Sequence, residues 1–410
     1  MADCIVLGAG MVGVSTALAL QEKGRSVVLV DRRGAGEETS YGNAGLIQSE
    51  AVEPYAFPRD LASVMSIALR IGNEVNWNPL AMPKWAEPVM RYFMHSSPGR
   101  YKIISQTYSA LIHRATSDHD SLIVASGSDN LIQKQGFRQV FRTAAKMEAG
   151  ARAAERLRDA YGVGVEIESG ADLKAREPNL RRELQGSVRW TDPWSCMSPG
   201  QLTANYEKLF EKRGGRFVTG DASTLTQAGS GWKVSTDEGW LEASDVVIAL
   251  GPWTPELLKP LGYRIPMLFK RGYHRHFTGG QRPTMPIQDA ENAAFLSPML
   301  AGMRVLTGAE LTHFAAGPGL RQLNRAERGV RELFDLGEPV ENVPWWGNRP
   351  CMPDMLPVVG PAPRHKGLWL NFGHGHQGFT LGPTTAALLA EKMVGEGDTA
   401  LVDRLALDRK

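Results

Sequence analysis

The sequence predicts an α/β protein of two domains, and three observations support this prediction. Residues 3–31 show the order strand, glycine loop, helix and second strand. Residues 368–393 repeat the order strand, glycine loop and helix near the end of the chain. The length of 410 residues exceeds that of a usual single core, and β-like runs between residues 263 and 345 belong to neither unit. These runs are expected to form the second domain.

The opening unit has the pattern of a dinucleotide-binding turn. Residues 5–7 form a short apolar strand, and Gly8 allows the tight turn that follows it. Gly10 lets backbone approach a pyrophosphate, and Gly13 lets the helix pack on the strand. Asp31 ends the second strand, where it can accept hydrogen bonds from ribose hydroxyls. With both strands and the acid in register, this pattern predicts dinucleotide binding.

The identity of the dinucleotide depends on the residues after Asp31. Arg32 and Arg33 could accommodate a 2′-phosphate, which leaves NADP open. A small-residue loop at 39–47 follows soon after, and such a loop can lay backbone along a flat ring. An NAD domain would normally continue with regular βα units. The loop therefore favours FAD.

The middle of the chain alternates helical and strand-like segments. A pair of strands is expected within 131–142 around Gly136, with helices at 144–160 and 199–212. A strand at 216–219 precedes a hairpin with strands at 232–236 and 239–242. An apolar strand at 245–251, which follows this hairpin, is expected to return to the first sheet, and Gly251 lets backbone approach the cofactor.

The segment 54–100 is irregular and rich in Pro, Trp and Met. Apolar residues recur at helical spacing from Leu61 to Leu69, which predicts a short helix with one apolar face. The favoured interpretation is a helix packed on the second domain. A helix on a membrane surface is the alternative, although polar positions such as Asp60 and Ser63 are not basic.

Composition and charge exclude several classes of protein. The net charge of +2 gives no reason to expect a nucleic acid or an anionic membrane as partner. Cys4, Cys196 and Cys351 lie far apart, so they signal neither a zinc site nor a disulfide framework, and no metal site is expected. This usage fits a reducing compartment. No signal peptide or membrane-spanning segment is expected, and the predicted location is cytoplasmic, with peripheral contact to the inner membrane left open.

These motifs together resemble the FAD-dependent D-amino-acid oxidase/dehydrogenase superfamily, which includes glycine oxidase and sarcosine oxidase. The resemblance is greatest to its bacterial D-amino-acid dehydrogenase branch, and it extends over nearly the whole chain. The stretches that carry it are Gly8–Gly13 with Asp31-Arg32, Glu38-Thr39-Ser40 with Asn43-Ala44-Gly45, Ala249-Leu250-Gly251, Trp346–Pro350 with Pro353-Asp354 and Gly360, and Gly373-His374-Gly375 with Gly378.

The resemblance implies a Rossmann-like, discontinuous FAD-binding domain and a smaller mixed α+β substrate domain. The expected boundaries are 1–60, 143–262 and 346–410 for the FAD-binding domain, and 61–142 and 263–345 for the substrate domain. The cofactor-binding residues implied by the glycine loop and the resemblance are Gly8, Gly10, Val12, Gly13, Asp31, Arg32, Thr39, Ser40, Asn43, Ala44, Gly45, Leu46, Ala222, Gly251, His374, Gly375, His376, Gln377, Gly378, Phe379 and Thr380.

The substrate end is implied by three residues. Arg349 matches the arginine that grips the substrate carboxylate in this family, and a guanidinium fork suits that task. His376 stands where glycine oxidase has a second carboxylate-contacting arginine, which is a departure. Tyr273 lies in a stretch where the dehydrogenases have Lys-Gly-Tyr. Cys351 does not match the register of the flavin-linking cysteine of sarcosine oxidase, so non-covalent FAD is expected.

The implied activity is oxidative deamination of a D-amino acid to a 2-oxo acid and ammonia, by hydride transfer to flavin N5. The expected partners are a small amino acid and an electron acceptor, which is a quinone, another carrier or oxygen. Glycine, sarcosine, proline derivatives and 2-hydroxy acids remain open as substrates. An enzyme acting on modified uridine in tRNA is disfavoured by the near-neutral charge. The sequence leaves the oligomeric state open.

Overall fold

The chain folds around two large β-sheets and one small one, in a computed structural model that describes residues 2–397 and 399–409. The strands are β1 (Ala2–Leu7), β2 (Val27–Asp31), β3 (Leu46–Ile47), β4 (Val75–Trp77), β5 (Ile132–Gln133), β6 (Phe137–Phe141), β7 (Val165–Ser169), β8 (Gly186–Trp190), β9 (Trp194–Cys196), β10 (Arg216–Ala228), β11 (Gly231–Thr236), β12 (Gly239–Ile248), β13 (Leu268–Gly279), β14 (Ile287–Asp289), β15 (Ala294–Met299), β16 (Gly302–Leu306), β17 (Ala309–Leu311), β18 (Gly337–Pro339), β19 (Trp345–Cys351), β20 (Val358–Pro361) and β21 (Leu368–Phe372). The helices are α1 (Met11–Glu22), α2 (Leu61–Ala68), α3 (Met82–His95), α4 (Pro98–Ile112), α5 (Ala115–Ala125), α6 (Ala144–Tyr161), α7 (Gly170–Arg176), α8 (Pro199–Lys212), α9 (Thr254–Leu258), α10 (Arg321–Leu333), α11 (Gly378–Met393) and α12 (Thr399–Asp403).

The first large sheet is mainly parallel. β1 pairs in parallel with β2 and β12, while β10 adds beyond β2 and β21 adds beyond β12. The central runs 5–7, 28–30 and 246–248 are apolar and buried, as expected for parallel strands covered on both faces. The carboxyl ends of β1, β2 and β12 therefore meet at one edge, which brings Gly8, Asp31 and Gly251 together.

The two strand–loop–helix units of the sequence are neighbours in space. α1 follows β1 and α11 follows β21, and the two helices pack against each other. Their approach is close because Gly382 has no side chain: a Cβ there would lie 2.9 Å from Met11 Cγ. Asn371 at the end of β21 donates to Thr16 Oγ1 of α1 at 3.0 Å. Both helices thus present their N-termini near the same edge of the sheet.

The second large sheet is built around β13. This strand pairs with β16, β17, β18 and β19, all antiparallel. The sheet continues through β15, β14, β6 and β8 to β7. Because β7 and β8 lie within 143–262, we propose that residues 165–190 belong with the substrate domain rather than with the FAD-binding domain.

Two local expectations were wrong. The hairpin strand at 239–242 and the apolar strand expected at 245–251 form one continuous strand, β12, because its first half pairs with β11 and its second half with β1. α2 forms where expected but does not bury its apolar face: Leu61 is 76 % exposed and Leu69 is 61 % exposed. A side contact remains, in which Trp77 Nε1 donates to Ile67 O at 2.9 Å.

The three cysteines, Cys4, Cys196 and Cys351, are buried and unpaired with one another. Within the described ranges, the helices lack the combination of length and apolar character needed to cross a bilayer.

Candidate active site

A large cavity of about 1160 Å³ is lined by residues from both large sheets and from the loops that follow their strands. Its wall at one end includes Gly10, Asp31 and Ala222, and its wall at the other end includes Lys270 and Arg349. Pockets for one small ligand usually measure about 300–1000 Å³. This cavity therefore has room for a long cofactor and a small substrate beside it.

The turn between β1 and α1 has the shape that a dinucleotide requires. Gly8 has a φ of +110°, and a Cβ at this position would lie 2.5 Å from Ala249 O. A Cβ at Gly13 would lie 1.7 Å from Gly8 O, so Gly13 is needed for the turn itself rather than for the cavity wall. Gly10 and Val12 line the cavity at the start of α1. Amide groups and the positive dipole end of α1 meet there, which suits a pyrophosphate.

The acid after β2 is held by backbone. Asp31 accepts hydrogen bonds from Ala9 N at 2.6 Å and from Arg33 N at 3.2 Å. Burial is the main influence on its carboxyl, and it raises the pKa of Asp31. A carboxylate offers about four acceptor positions, so Asp31 retains acceptor capacity for a ribose.

Arg32 is already engaged with protein groups. It donates to Glu38 Oε1 at 2.7 Å, and its guanidinium lies 4.6 Å from the Trp253 ring centroid. A 2′-phosphate would have to compete with Glu38 for this charge, which disfavours the NADP alternative.

The loop at 39–47 is fixed from both sides. Ser40 Oγ accepts from Met11 N at 2.9 Å, and Asn43 Oδ1 accepts from Gly45 N at 2.8 Å. From the second sheet, buried Arg304 donates to Tyr41 O at 2.8 Å and to Asn43 O at 2.6 Å. These contacts hold Thr39, Ser40, Asn43, Ala44 and Leu46 in the cavity wall, as a rigid surface for a flat ring.

The second glycine loop, residues 373–377 between β21 and α11, forms another part of the cavity wall. Gly375 N donates to Pro350 O at 2.8 Å, which ties the loop to the end of β19. Buried His374 shares a hydrogen bond with Thr385 Oγ1 at 2.9 Å, and burial lowers its pKa to about 3, so the ring is neutral. α11 begins at Gly378, inside the wall, so its N-terminus faces the cavity.

The expected cofactor residues divide into two groups. Those that line the cavity are Gly8, Gly10, Val12, Asp31, Arg32, Thr39, Ser40, Asn43, Ala44, Leu46, Ala222, Gly251, His374, Gly375, His376, Gly378 and Phe379. Gly13, Gly45, Gln377 and Thr380 lie behind them. Gln377 Nε2 donates to Gln48 Oε1 at 2.8 Å, and Thr380 Oγ1 accepts from Gln48 N at 3.2 Å. These two side chains therefore support the wall rather than form it.

Arg349 lies at the same end of the cavity as Lys270. Its guanidinium packs flat on Gly272, where a Cβ would lie 2.5 Å from Nη2. Nη1 donates to Gly308 O at 3.1 Å. Burial lowers the pKa of Arg349, yet the usual value of an arginine is high enough that the group stays charged. Only one of its five N–H groups is used by this bond, which leaves donors for a ligand.

His376 and Tyr55 face each other beside Arg349. Their ring centroids are 5.3 Å apart, and both side chains line the cavity. Burial, together with the nearby charges of Arg349 and Lys270, holds the pKa of His376 well below its ordinary value. The ring of His376 is therefore neutral at physiological pH, and it adds no third positive charge to this end.

Tyr273 borders the cavity, but its hydroxyl points elsewhere. In β13 its side chain lies on the face of the sheet opposite to that of the Lys270 side chain. The hydroxyl donates to Glu310 and accepts from Gly319 N at 2.9 Å. The oxygen is thus satisfied within the protein, and the geometry gives Tyr273 a supporting position rather than a contact with substrate.

Two cavity residues were missed from the sequence. Lys270 stands directly opposite Arg349 across β13 and β19, but this register is invisible before the strands are paired. Glu50 follows the loop at 39–47 and is 6 % exposed. Burial raises its pKa to about 7, and Gln48 Nε2 donates to its Oε1 at 2.6 Å. Glu50 stands in a mixed stretch, Gln48-Ser49-Glu50-Ala51, which has no recognisable motif from which it could have been selected.

Comparisons with known proteins agree with this geometry. The model of the family described as DAO, FAD dependent oxidoreductase, matches residues 3–392. A D-amino acid dehydrogenase of Cereibacter sphaeroides is 31% identical over 432 residues, covering 99% of this chain and 94% of that protein. One of Rhizobium johnstonii is 31% identical over 430 residues, covering 99% of both.

Solved structures show the same fold. Glycine oxidase from Geobacillus kaustophilus superposes with a TM-score of 0.72 at 19% identity, covering 100% of this chain and 99% of that one. L-amino acid deaminase from Proteus vulgaris gives a TM-score of 0.72 at 18% identity, covering 100% and 97%. The expected fold class and FAD as cofactor are confirmed. The chain belongs to the DAO family of FAD-dependent oxidoreductases.

Proposed function

We propose that this protein oxidises a D-amino acid to the 2-oxo acid and ammonia, with FAD as the primary electron acceptor. The observation that carries the proposal is Arg349, a half-buried cation with free donors at the same end of the cavity as Lys270. The relatives named D-amino acid dehydrogenase favour this class of substrate. The 2-hydroxy acids share the carboxylate but lack the amine, and they are the main competing class.

The chain's residues would orient the substrate for this chemistry. Arg349 can bind the carboxylate through two parallel N–H groups, which fixes the plane of the substrate and selects the hydrogen that faces the ring. Bound FAD supplies a two-electron acceptor for the hydride that leaves the α carbon. Phe57, Val89 and Tyr92 form an apolar wall that limits water around the reacting atoms. The imino acid product then adds water and releases ammonia.

The test is a substrate panel with an artificial electron acceptor. The FAD-loaded protein is offered D-amino acids, L-amino acids, N-methyl and cyclic amino acids, and 2-hydroxy acids. We expect turnover of D-amino acids with formation of equal amounts of 2-oxo acid and ammonia. If only 2-hydroxy acids are turned over and no ammonia forms, the proposal is wrong and the protein is a 2-hydroxy-acid dehydrogenase.

We also propose the roles of the cofactor residues. Gly10 and Val12 would meet the pyrophosphate, Asp31 the ribose, and Ala44 and Leu46 the ring. These roles are supported by the fact that each residue lines the cavity. We propose that FAD is held non-covalently, and Cys351 supports this, since it is buried beside Lys270 and Arg349 and burial raises its pKa. A buried thiol held protonated is a poor nucleophile.

The flavin should therefore separate from the protein on denaturation. Acid precipitation of the FAD-loaded protein is expected to leave the yellow colour in the supernatant, since no covalent bond holds it. The absorbance of supernatant and pellet measures this directly. A yellow pellet after repeated washing would mean that a flavin link exists.

For the electron acceptor, we propose a membrane quinone reached through a peripheral surface of the segment 55–103. Large apolar side chains are exposed there: Leu61, Met65, Leu69, Ile71, Leu80, Met90, Met94 and Ile103. Residues 59–102 contain six Arg or Lys and three Asp or Glu, so the segment carries an excess of three positive charges. Apolar area with flanking positive charge suits the surface of an anionic bilayer. The same segment lines the cavity at Phe57, Ile67 and Val89.

Vesicle flotation tests this surface. The double variant Leu61→Asp with Met65→Asp is expected to bind vesicles containing anionic lipid at least about tenfold more weakly, because it removes apolar contact and adds repulsion. Val124→Asp on α5, another exposed apolar position, is the matched control. Equal flotation of both variants and the parent protein would remove this surface from the proposal.

A further inference from the structure

Two positive side chains stand opposite each other in the cavity. Lys270 in β13 and Arg349 in β19 are register partners, so their Cβ atoms are on the same face of the sheet. Like charges directly opposite each other destabilise a sheet, and an unpaired Lys or Arg is seldom enclosed within a protein. Among the described residues, no carboxylate forms an ion pair with either of them, although each has a neutral hydrogen-bond partner.

Among the described residues, the acidic side chains of the cavity wall form no ion pair with Lys270 or Arg349. Glu50 accepts a hydrogen bond from Gln48, and Glu53 pairs with Arg156 Nη2 at 2.7 Å. Glu74 also lines the cavity, but it is exposed. The positive charges of Lys270 and Arg349 are therefore not neutralised by an ion pair with any described residue.

The guanidinium of Arg349 and the ammonium of Lys270 lie at different positions in the cavity. The guanidinium of Arg349 lies above Gly272 and reaches Gly308 O. Gly272 is two residues from Lys270 along β13, which corresponds to about 7 Å. The ammonium of Lys270 turns toward α3, where Nζ donates to Tyr92 Oη at 3.2 Å and lies 4.3 Å from the ring centroid.

Both heads retain donors for a ligand. The Tyr92 hydroxyl gives its own proton to Tyr55 O and accepts from Lys270. This bond uses one of the three N–H groups of the lysine, and the bond to Gly308 uses one of the five of the arginine. The cavity thus offers two separated positions for negative oxygen atoms, and the aromatic rings of Tyr55, Phe57 and Tyr92 surround them.

We propose that the substrate is an amino dicarboxylate, with its α-carboxylate on Arg349 and its second carboxylate on Lys270. The chemical class is that of D-aspartate and D-glutamate. A second carboxylate would neutralise the lysine, which an apolar or amide side chain cannot do. This inference rests on the proposed function, since it names the substrate class of the same site.

The test compares matched acids and amides. With FAD-loaded protein and an artificial acceptor, kcat/KM is measured for D-aspartate against D-asparagine, and for D-glutamate against D-glutamine. We expect a preference for the acids of at least about tenfold, because a hydrogen bond to a charged group is stronger than a neutral one. Lys270→Met is expected to abolish this preference, and Lys270→Arg to retain most of it. Lys259→Met, at an exposed lysine, is the control for loss of one charge.

The outcomes separate the inference from the proposed function. If Lys270→Met lowers kcat/KM equally for acids and amides, both cations clamp one carboxylate, and the inference is overturned while D-amino acid oxidation stands. If no D-amino acid is oxidised by FAD-loaded protein, the proposed function itself fails.

A binding measurement covers the case in which the Lys270 variants lose FAD or fail to fold. Unreactive carboxylates are titrated into the parent protein, and the change in the visible flavin spectrum reports binding. Succinate and glutarate are expected to bind at least about tenfold more tightly than propionate and butyrate, because only the dicarboxylates reach both cations. Equal affinity for the two groups would overturn the inference.

Discussion

Replacing Arg349 by Ala is expected to lower kcat/KM for D-amino acids by about 10²- to 10⁴-fold, since loss of one partner of a buried charge pair costs about 3–5 kcal/mol. The enclosed position of the guanidinium above Gly272 is the reason for so large an effect. Steady-state kinetics with an artificial acceptor measures it, and flavin content is expected to stay at the level of the parent protein.

Arg349→Lys is the matched control. It keeps the charge but loses the planar fork, so a partial recovery of kcat/KM is expected. An unchanged KM in Arg349→Ala, with flavin bound, would contradict the proposal that this side chain binds the carboxylate.

Replacing Gly10 by Val is expected to remove FAD while leaving the protein folded. A Cβ at Gly10 would lie 3.3 Å from Ser40 Oγ, and the branched side chain would extend into the cavity beside the start of α1. The φ of Gly10 is −73°, which any L-residue adopts, so the substitution introduces no backbone strain. We expect FAD affinity to fall by at least about 10³-fold, since the phosphates lose both the amides and the space they need.

Flavin absorbance per protein and far-UV circular dichroism measure the two effects separately. Gly99→Val is the control, because a Cβ at Gly99 has no neighbour within 4 Å. Full flavin content in Gly10→Val would contradict the assignment of this turn to the pyrophosphate. Gly13→Ala is less informative, since its Cβ would meet Gly8 O and damage the turn itself.

The parts of the fold that could be predicted are those with local causes. The turn from β1 to α1 depends on glycines within six residues, and the strands around it are continuous apolar runs. The order strand, glycine loop, helix at 368–393 is equally local, and the structure places the helix, α11, at Gly378–Met393. The requirement for glycine in a tight turn and the spacing of apolar residues both involve residues that are close in sequence. Such features can therefore be read from the sequence alone.

The parts that could not be predicted depend on pairing between distant strands. Lys270 and Arg349 are 79 residues apart in the chain (349 − 270), and only the register of β13 with β19 brings them together. The hydrogen bond from the Tyr273 hydroxyl to Glu310 also joins two strands, β13 and β17, that are far apart in the chain. The continuity of β12 likewise follows from its two different partners, β11 and β1.

The exposed face of α2 has a different explanation. Its apolar spacing predicts burial, but spacing cannot say whether the covering partner belongs to the same chain. The apolar side chains of Leu61, Met65 and Leu69 remain uncovered by the described residues. A sequence pattern can show that one face of a helix is apolar, but only the structure shows whether that face is exposed to solvent.

The central claim is that D-amino acids give hydride to FAD in the cavity beside Arg349. Anaerobic mixing of FAD-loaded protein with one enantiomer of an amino acid at a time tests it most directly, because no electron acceptor is needed. We expect the D-enantiomer to bleach the visible flavin band completely, with one equivalent of 2-oxo acid formed per flavin, and the L-enantiomer to leave the band intact. Bleaching by the L-enantiomer alone, or by none of the amino acids, would contradict this claim.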